Sequence, residues 1–309
     1  MRILITGGAG FQGSHLAEHW REAGHQLTIL NTYSEEADRN ISYIATETSV
    51  VWGSVTDSEI VDKTVRGQEV VVHLAAHINV DESLAAPRAF ADVNLGGTMN
   101  VLEAARRSGS RVVFASSCEV YGGSEGTPVS ENAPLRPHSP YAASKAAADR
   151  MCYAYYKSYG VNVTIVRPSN VYGERQKAGR GGAVIPIFAR LADAGKPLTV
   201  FGTGTQTREY LHVSDLVSAY EVVVNRDDLA GATLNVGTGE TPSVKEIAEF
   251  IAERAGVSLT YEPARPGEVP GFSLDSTLAR SLGFAPTVTF WDGLSRYLEA
   301  WRQDSSAES

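Results

Sequence analysis

Cysteine is scarce in this chain of 309 residues: Cys118 and Cys152 are the only two. That is too few for a disulfide framework or a cysteine-based metal site. The seven histidines fall at no ligand spacing, so no metal is expected. Long apolar runs are missing as well, and none approaches the ~20 residues that a membrane span needs. Met1 leads straight into the strand-like RILITGG with no signal-peptide pattern, and a cytoplasmic protein is expected. Positive charge is also short, since 27 Lys and Arg face 36 Asp and Glu for a net charge of −9. The basic stripe that a nucleic-acid surface requires is therefore absent. A phosphate-bearing small ligand survives this exclusion, because a few placed arginines and helix N-termini hold such a group locally. There is no internal repeat and no low-complexity tract.

What the chain does have is an ordinary globular balance, 43% hydrophobic and 20% charged. A chain of this length buries about 75% of its unfolded surface, enough for a substantial core. Short β-branched runs alternate with stretches of helical period: RILIT at 2–6, QLTIL at 26–30, SVVW at 49–52, EVVVHLA at 69–75, RVVFAS at 111–116 and VNVTIVR at 161–167. This alternation predicts βαβ units and a parallel sheet. The strands are almost wholly apolar, as expected of a sheet covered by helices on both faces. After RPSNVYG the texture changes to a loop rich in Gly, Arg and Pro at 173–186, followed by mixed segments. ATLNVGTG at 232–239 predicts a strand that returns to the sheet, and SVKEIAEFIAERAG at 243–256 an amphipathic helix. The polar end, RQDSSAES, is expected to fray.

Gly7, Gly10 and Gly13 lie between the first strand and the first helix. Gly7 permits a tight turn, Gly10 lets the backbone approach a pyrophosphate, and Gly13 lets the helix pack on the strand, with the helix N-terminus facing the anion. At the first strand-helix junction this predicts a dinucleotide site and a Rossmann-type doubly wound sheet. Residues 1–170 are expected to form the cofactor domain, with a returning segment near 205–239. Residues 171–309 are expected to form mainly a smaller, partly interleaved substrate region. The second strand ends in Asn31, where such sites usually carry Asp for the adenosine ribose. Asn still hydrogen-bonds a ribose hydroxyl. Glu35 and Glu36 disfavour a 2′-phosphate, whereas Arg39 would favour one, and NAD is the expected cofactor.

SPYAASK opens a helix that places Tyr141 and Lys145 four residues apart on one face. An ammonium near a phenol favours phenolate, which makes the tyrosine a base at neutral pH. With TGGAGFQGSHL, VVHLAA, ADVNLGGTMNVLEAAR, SSCEVYG, SPYAASK, RPSNVYG, FGTGTQTREYLHVSD, LNVGTG and ARPGEV in this order, the chain resembles the extended short-chain dehydrogenase/reductases. Within them it resembles the nucleotide-sugar epimerases, dehydratases and decarboxylases, and the resemblance runs over nearly its whole length.

That resemblance implies that Tyr141 takes the proton of the sugar C4 hydroxyl while hydride passes from C4 to NAD. Lys145 would lower the tyrosine pKa and hold the nicotinamide ribose, and Ser117 would complete the path between sugar and tyrosine. Cofactor contacts are implied for Gly7, Gly10, Phe11, Gln12, Gly13 and Asn31. Further along the chain they are implied for Ser54, Val55, Leu74, Ala75, Ala76 and Pro168, beside Tyr141 and Lys145. Members diverge in the triplet that here reads Ser117-Cys118-Glu119. Glu119 matches the C5 base of the dehydratases, while Cys118 stands where these keep an acid for the departing C6 hydroxyl. It is either a weak proton donor or a small hydrophobe filling a gap.

On the substrate side the resemblance assigns Arg208 and Arg265 to the nucleotide diphosphate, Asn170 to the diphosphate or sugar, and Asn79 and Ser83 to the sugar loop. Residues 174–186 would close over the nucleotide base, and Arg175, Lys177 or Arg180 would meet phosphate or a sugar carboxylate. The reading is thus an NAD-dependent dehydratase of a nucleotide-linked hexose. The alternatives are C4 epimerisation, then decarboxylation of a UDP-glucuronate, and, in a different class, a non-catalytic dinucleotide sensor. A homodimer paired through segments near 90–108 and 141–158 is expected.

Overall fold

The computed structural model describes residues 1–123, 128–176, 183–264, 271 and 273–307. Eleven strands are present among them: β1 (Arg2–Thr6), β2 (Gln26–Asn31), β3 (Ser49–Trp52), β4 (Val70–His73), β5 (Arg111–Ala115), β6 (Val163–Pro168), β7 (Asn170–Tyr172), β8 (Leu198–Phe201), β9 (Tyr210–His212), β10 (Thr233–Val236) and β11 (Leu259–Glu262). Seven of them form one parallel sheet in the order β10-β6-β5-β4-β1-β2-β3. Ile5 stands beside Ile29 of β2 on one side and Val72 of β4 on the other.

The apolar strands serve both faces. Ile3 and Ile5 pack against the helices Phe11–Glu22 and Val213–Val224 through Leu16, Trp20, Leu216 and Tyr220. Leu4, Val71 and Phe114 face the helices Ser58–Val65, Thr98–Ser108 and Pro140–Tyr159. Because successive side chains point to opposite faces, a two-faced sheet needs uninterrupted apolar strands. From β1 the chain builds outward to β3, then returns to the centre to add β4, β5, β6 and β10. The order therefore reverses between β1 and β4, and the carboxyl ends of those two strands frame a crevice where doubly wound folds bind ligands.

A third core gathers Phe188, Leu198, Val200, Ile247, Ile251 and Leu294 beyond the main sheet. Here β8 pairs with β11, and β7 pairs with β9, each in parallel. The helix Val244–Ala255 is fixed at its start by a capping box of Ser243 and Glu246 and at its end by Gly256 at φ 68°. No helix among the described residues is long and apolar enough to cross a membrane.

Candidate active site

The loop after β1 fills the crevice. Gly7 has φ +73°, and a Cβ on it would lie 2.8 Å from the Ala75 backbone nitrogen, so the loops after β1 and β4 touch there. A Cβ on Gly13 would stand 2.2 Å from the Gly7 carbonyl oxygen, which is why the helix can lie against the strand end. Gly10 differs. Its only neighbour within 4 Å of that position is the Gly7 oxygen at 3.3 Å, so the protein itself leaves room in front of it. Gly10 also starts the helix Phe11–Glu22, which has no capping side chain and no acidic residue in its first turn. The unpaired N–H groups and the positive end of the helix dipole thus face an open cradle, a fit for the pyrophosphate of a dinucleotide.

Asn31 is partly committed to this loop: its Oδ1 accepts from the Ala9 N–H (3.2 Å) and its Nδ2 donates to the Thr32 carbonyl (2.8 Å). It braces the cradle from β2, with Asn40 Nδ2 donating to the Ala9 carbonyl from behind (3.0 Å). Val55, at the foot of the next loop, is buried, and its carbonyl accepts from Asn100 Nδ2 (2.9 Å). The Ser54 hydroxyl pairs with that of Thr56 at 2.8 Å. Leu74, Ala75 and Ala76 line the far side after β4, half-buried, and Pro168 ends β6 beside Val236.

The helix that carries Tyr141 and Lys145, Pro140–Tyr159, begins with Ser139 accepting from the Ala142 N–H and Pro140 in its first turn, and ends at Gly160 with φ 68°. Tyr141, Lys145, Ala148, Cys152 and Tyr155 form its buried stripe. The pair found by spacing is therefore on the inward face and not an exposed surface pair. Burial pushes the Tyr141 phenol above its usual range, the nearby Ser117 hydroxyl opposing and the Glu119 charge adding to the rise. Lys145 donates to the Ala115 carbonyl and lies 4.5 Å from the Phe114 ring centroid. Burial lowers its pKa to about 8.

The triplet follows β5 as one 3-10 turn, Cys118–Tyr121, whose first backbone N–H groups are met by Ser117: its hydroxyl accepts from the Glu119 N–H. Glu119 is half-buried, whereas Cys118 is 4% exposed and packs with Val120, Tyr121, Ala146 and Leu274. Burial and the neighbouring Glu119 charge push the Cys118 thiol well up.

Among the residues expected to meet the substrate, Asn170 is held twice by the Glu209 carbonyl, through its backbone N–H (3.0 Å) and its Nδ2 (2.9 Å). Arg208 donates to the Thr207 carbonyl (2.7 Å). Asn79 caps the helix Val80–Ala85, and Ser83 is fully buried with its hydroxyl on the Val80 carbonyl (2.6 Å). Arg175, at φ +66°, pairs with Glu18 (2.5 Å) on the first helix. Arg265, Lys177 and Arg180 lie outside the described residues.

Several organising residues carry no signal in the spacing of charges. Asn94 sits in a π-helical turn, Ala91–Gly97, and its side chain accepts from the His77 N–H and donates to the His77 carbonyl and the Ser144 hydroxyl, while Ser144 donates to the Tyr141 carbonyl. Glu209 is fully buried, and its carboxylate accepts from the Gly239 (2.7 Å) and Leu274 (2.6 Å) N–H groups.

The family model described as "NAD dependent epimerase/dehydratase family" matches residues 3–237. Among curated relatives, a dTDP-glucose 4,6-dehydratase of Streptomyces niveus is 36% identical, over 99% of this chain and 94% of that protein. A UDP-glucose 4-epimerase of Mycolicibacterium smegmatis is also 36% identical, over 99% of this chain and 100% of that protein. Among solved structures, the dTDP-glucose 4,6-dehydratase DesIV of Streptomyces venezuelae, crystallised with NAD bound, superposes with a TM-score of 0.93 at 32% identity, covering 99% of this chain and 98% of the other.

Proposed function

Given that the chain belongs to the NAD dependent epimerase/dehydratase family and is thus an NAD-dependent enzyme of nucleotide-sugar chemistry, we propose that it dehydrates a nucleotide-linked hexose by way of a 4-keto sugar. The observation that carries this reading is Glu119, placed beside Ser117 and near enough to Tyr141 for its charge to raise the phenol. A carboxylate there can take a proton from carbon, and C5 becomes acidic once C4 is a ketone; its other use would be to position a substrate hydroxyl. Gly10, Phe11 and Gln12 would hold the cofactor pyrophosphate at the helix N-terminus. Bound NAD would supply the oxidant for C4 and, once reduced, the hydride that C6 receives after water has left.

Tyr141, with the Ser117 hydroxyl near it, takes the C4 hydroxyl proton. Lys145, charged below about pH 8, keeps positive potential at the end of β5. Glu119 then takes the C5 proton, the C6 hydroxyl departs with a proton as water, and a proton returns to C5 from Glu119 as C6 is reduced. Asn170 and Arg208, fixed around Glu209, would receive the diphosphate.

A second reading, C4 epimerisation, draws on Cys118. A dehydratase of this design wants an acid for the leaving hydroxyl, and here a thiol with a raised pKa fills an apolar gap. Decarboxylation is less supported, because Arg175, one of the cations available for a sugar carboxylate, is engaged by Glu18. The retained Tyr141 and Lys145 speak against a non-catalytic sensor.

The test is incubation with dTDP-, UDP-, GDP- and CDP-sugars in D2O, read by mass and NMR. Loss of water with deuterium at C5 or C6 is expected. An isomer of unchanged mass and no deuterium would replace this reading by epimerisation, and loss of CO2 would replace it by decarboxylation. We further assign residues 1–170 and the segment near 205–239 to the cofactor side and residues 171–309 mainly to the substrate. We also assign the protein to the cytoplasm as a homodimer. Exposed Met99, Tyr153 and Tyr159 on the helices Thr98–Ser108 and Pro140–Tyr159 support the pairing, and sedimentation at the monomer mass would refute it.

A further inference from the structure

Beneath the triplet lies a buried ionic network. Asp149 stands one turn beyond Lys145 on the catalytic helix and is fully buried, and Arg167 of β6 is 1% exposed. Asp149 Oδ2 accepts from the Ser116 hydroxyl (2.7 Å) and from Arg167 Nε (2.8 Å), and Oδ1 accepts from Arg167 Nη2 (2.9 Å). Burial would raise Asp149, but the bonds from Arg167, Arg150 and Ser116 outweigh it and hold its carboxyl below the usual range. Arg167 Nη1 donates to the Tyr121 hydroxyl (2.6 Å) and to the Glu131 carbonyl (3.1 Å), and the guanidinium lies 4.9 Å from the Tyr121 ring centroid. Tyr121 in turn donates to Asn235 Oδ1 of β10 (2.8 Å).

These bonds have a common geometric result. Ser116 immediately precedes Ser117, and Tyr121 closes the turn that contains Cys118 and Glu119, so both ends of the triplet are tied to the catalytic helix through one ion pair. Gly122 completes the lock at φ +80°, where a Cβ would lie 1.9 Å from the Arg136 carbonyl oxygen. Stability does not by itself account for such a pair, since well-packed apolar residues of equal volume commonly serve as well or better. Position does account for it. The Glu119 side chain has no hydrogen bond to the helix among the described residues, and its distance from the sugar depends on how its turn is held.

We propose that Asp149, Arg167 and Tyr121 form a buried clamp that positions Glu119 against the Tyr141 site, so that these three residues control proton removal at C5. The inference rests on the base role given to Glu119 above. A displacement of about 1 Å in such a group costs up to about 100-fold in rate.

The experiment uses the full-length chain with NAD and, as probes, dTDP-glucose and UDP-glucose in D2O. Two quantities are followed: deuterium entering C5, by NMR, and formation of reduced cofactor, by its ultraviolet absorbance. Tyr121→Phe removes one hydroxyl and keeps the Asp149–Arg167 pair, and C5 exchange should fall about tenfold relative to cofactor reduction. Asp149→Asn should lower that ratio further, and should it fail to fold, Tyr121→Phe decides alone. A merely structural role would lower both signals together, and an unchanged ratio in Tyr121→Phe overturns the clamp while leaving Glu119 as the base. Absence of C5 exchange in the unaltered protein with both probes overturns the base role and the clamp with it.

Discussion

Gly10 and Gly13 are three residues apart and read alike in the sequence, yet their surroundings separate two effects that a glycine string confounds. A methyl group on Gly13 has nowhere to go, with backbone atoms at 2.2 and 2.6 Å. Gly13→Ala should destabilise the protein by about 3 kcal/mol, seen as a lower urea midpoint. Gly10→Ala meets only one oxygen at 3.3 Å and should leave that midpoint nearly unchanged, while weakening NAD binding in calorimetric titration. Equal unfolding losses in the two variants would contradict the cradle. For the chemistry, Tyr141→Phe should reduce turnover of any accepted sugar nucleotide by about 100- to 10,000-fold without altering the fold. Glu119→Gln should abolish deuterium entry at C5 and still permit oxidation at C4; retention of C5 exchange would remove it from the mechanism. Tyr141 and Lys145 were legible from their spacing. That Lys145 meets the Ala115 carbonyl was not, because that depends on where β5 ends relative to the helix.

At the level of elements, the sheet is tied to its helices by polar chains as well as apolar packing. His73, the last residue of β4, is buried with one ring nitrogen 2.6 Å from the Thr6 hydroxyl of β1 and the other 3.0 Å from the Thr98 hydroxyl. Thr98 donates to the Asn94 carbonyl at 2.6 Å, so the chain of bonds ends at the π-helical turn behind the helix Pro140–Tyr159. Burial, with the Lys145 charge, lowers His73 to about 3. A histidine depressed on folding binds its proton more readily in the unfolded chain. Its cost to stability is therefore absent above about pH 6.5 and grows as pH falls toward 3. Between pH 7 and pH 5 this site alone should remove about 2 kcal/mol of stability. Urea unfolding of the protein should show that loss, and His73→Gln should show a flatter dependence; parallel curves would mean that His73 is protonated in the fold. The strands themselves were evident as apolar runs. The π-turn was not, since its register shift leaves the hydrophobic pattern almost unaltered and shows only in the direction of the Asn94 side chain.

At the scale of the whole molecule, Glu209 joins the segments that follow β6, β10 and β11. Its carboxylate accepts from Gly239 and Leu274, a Cβ on Gly237 would lie 2.1 Å from it, and its carbonyl receives Asn170 twice. Burial raises its pKa, and the backbone N–H groups offset part of that rise. Glu209→Ala leaves those N–H groups buried without acceptors and should cost about 2–4 kcal/mol in urea unfolding. It should also raise KM for the sugar nucleotide more than it lowers kcat. A midpoint equal to that of the unaltered protein would show that water serves the N–H groups as well. In the sequence Glu209 is one charge in TREYLHVSD beside the more conspicuous Arg208, and nothing local marks it as buried.

Some of this protein was determined by the sequence alone. Apolar strands alternating with helical segments dictate a covered parallel sheet, the three glycines dictate where its first loop must come close to other atoms, and the Tyr-Lys interval puts both residues on one face of a helix. Each of these follows from local stereochemistry and hydrophobic period, which act over a few residues. Tertiary structure decided the rest: that Cys118 packs in an apolar cluster while Glu119 beside it stays half-open, that Lys145 rests on the Ala115 carbonyl, and that Asp149 meets Arg167 across 18 residues of chain. Burial, and the pairing of charges that burial compels, depend on residues brought together from distant strands, and no interval along the chain encodes them separately.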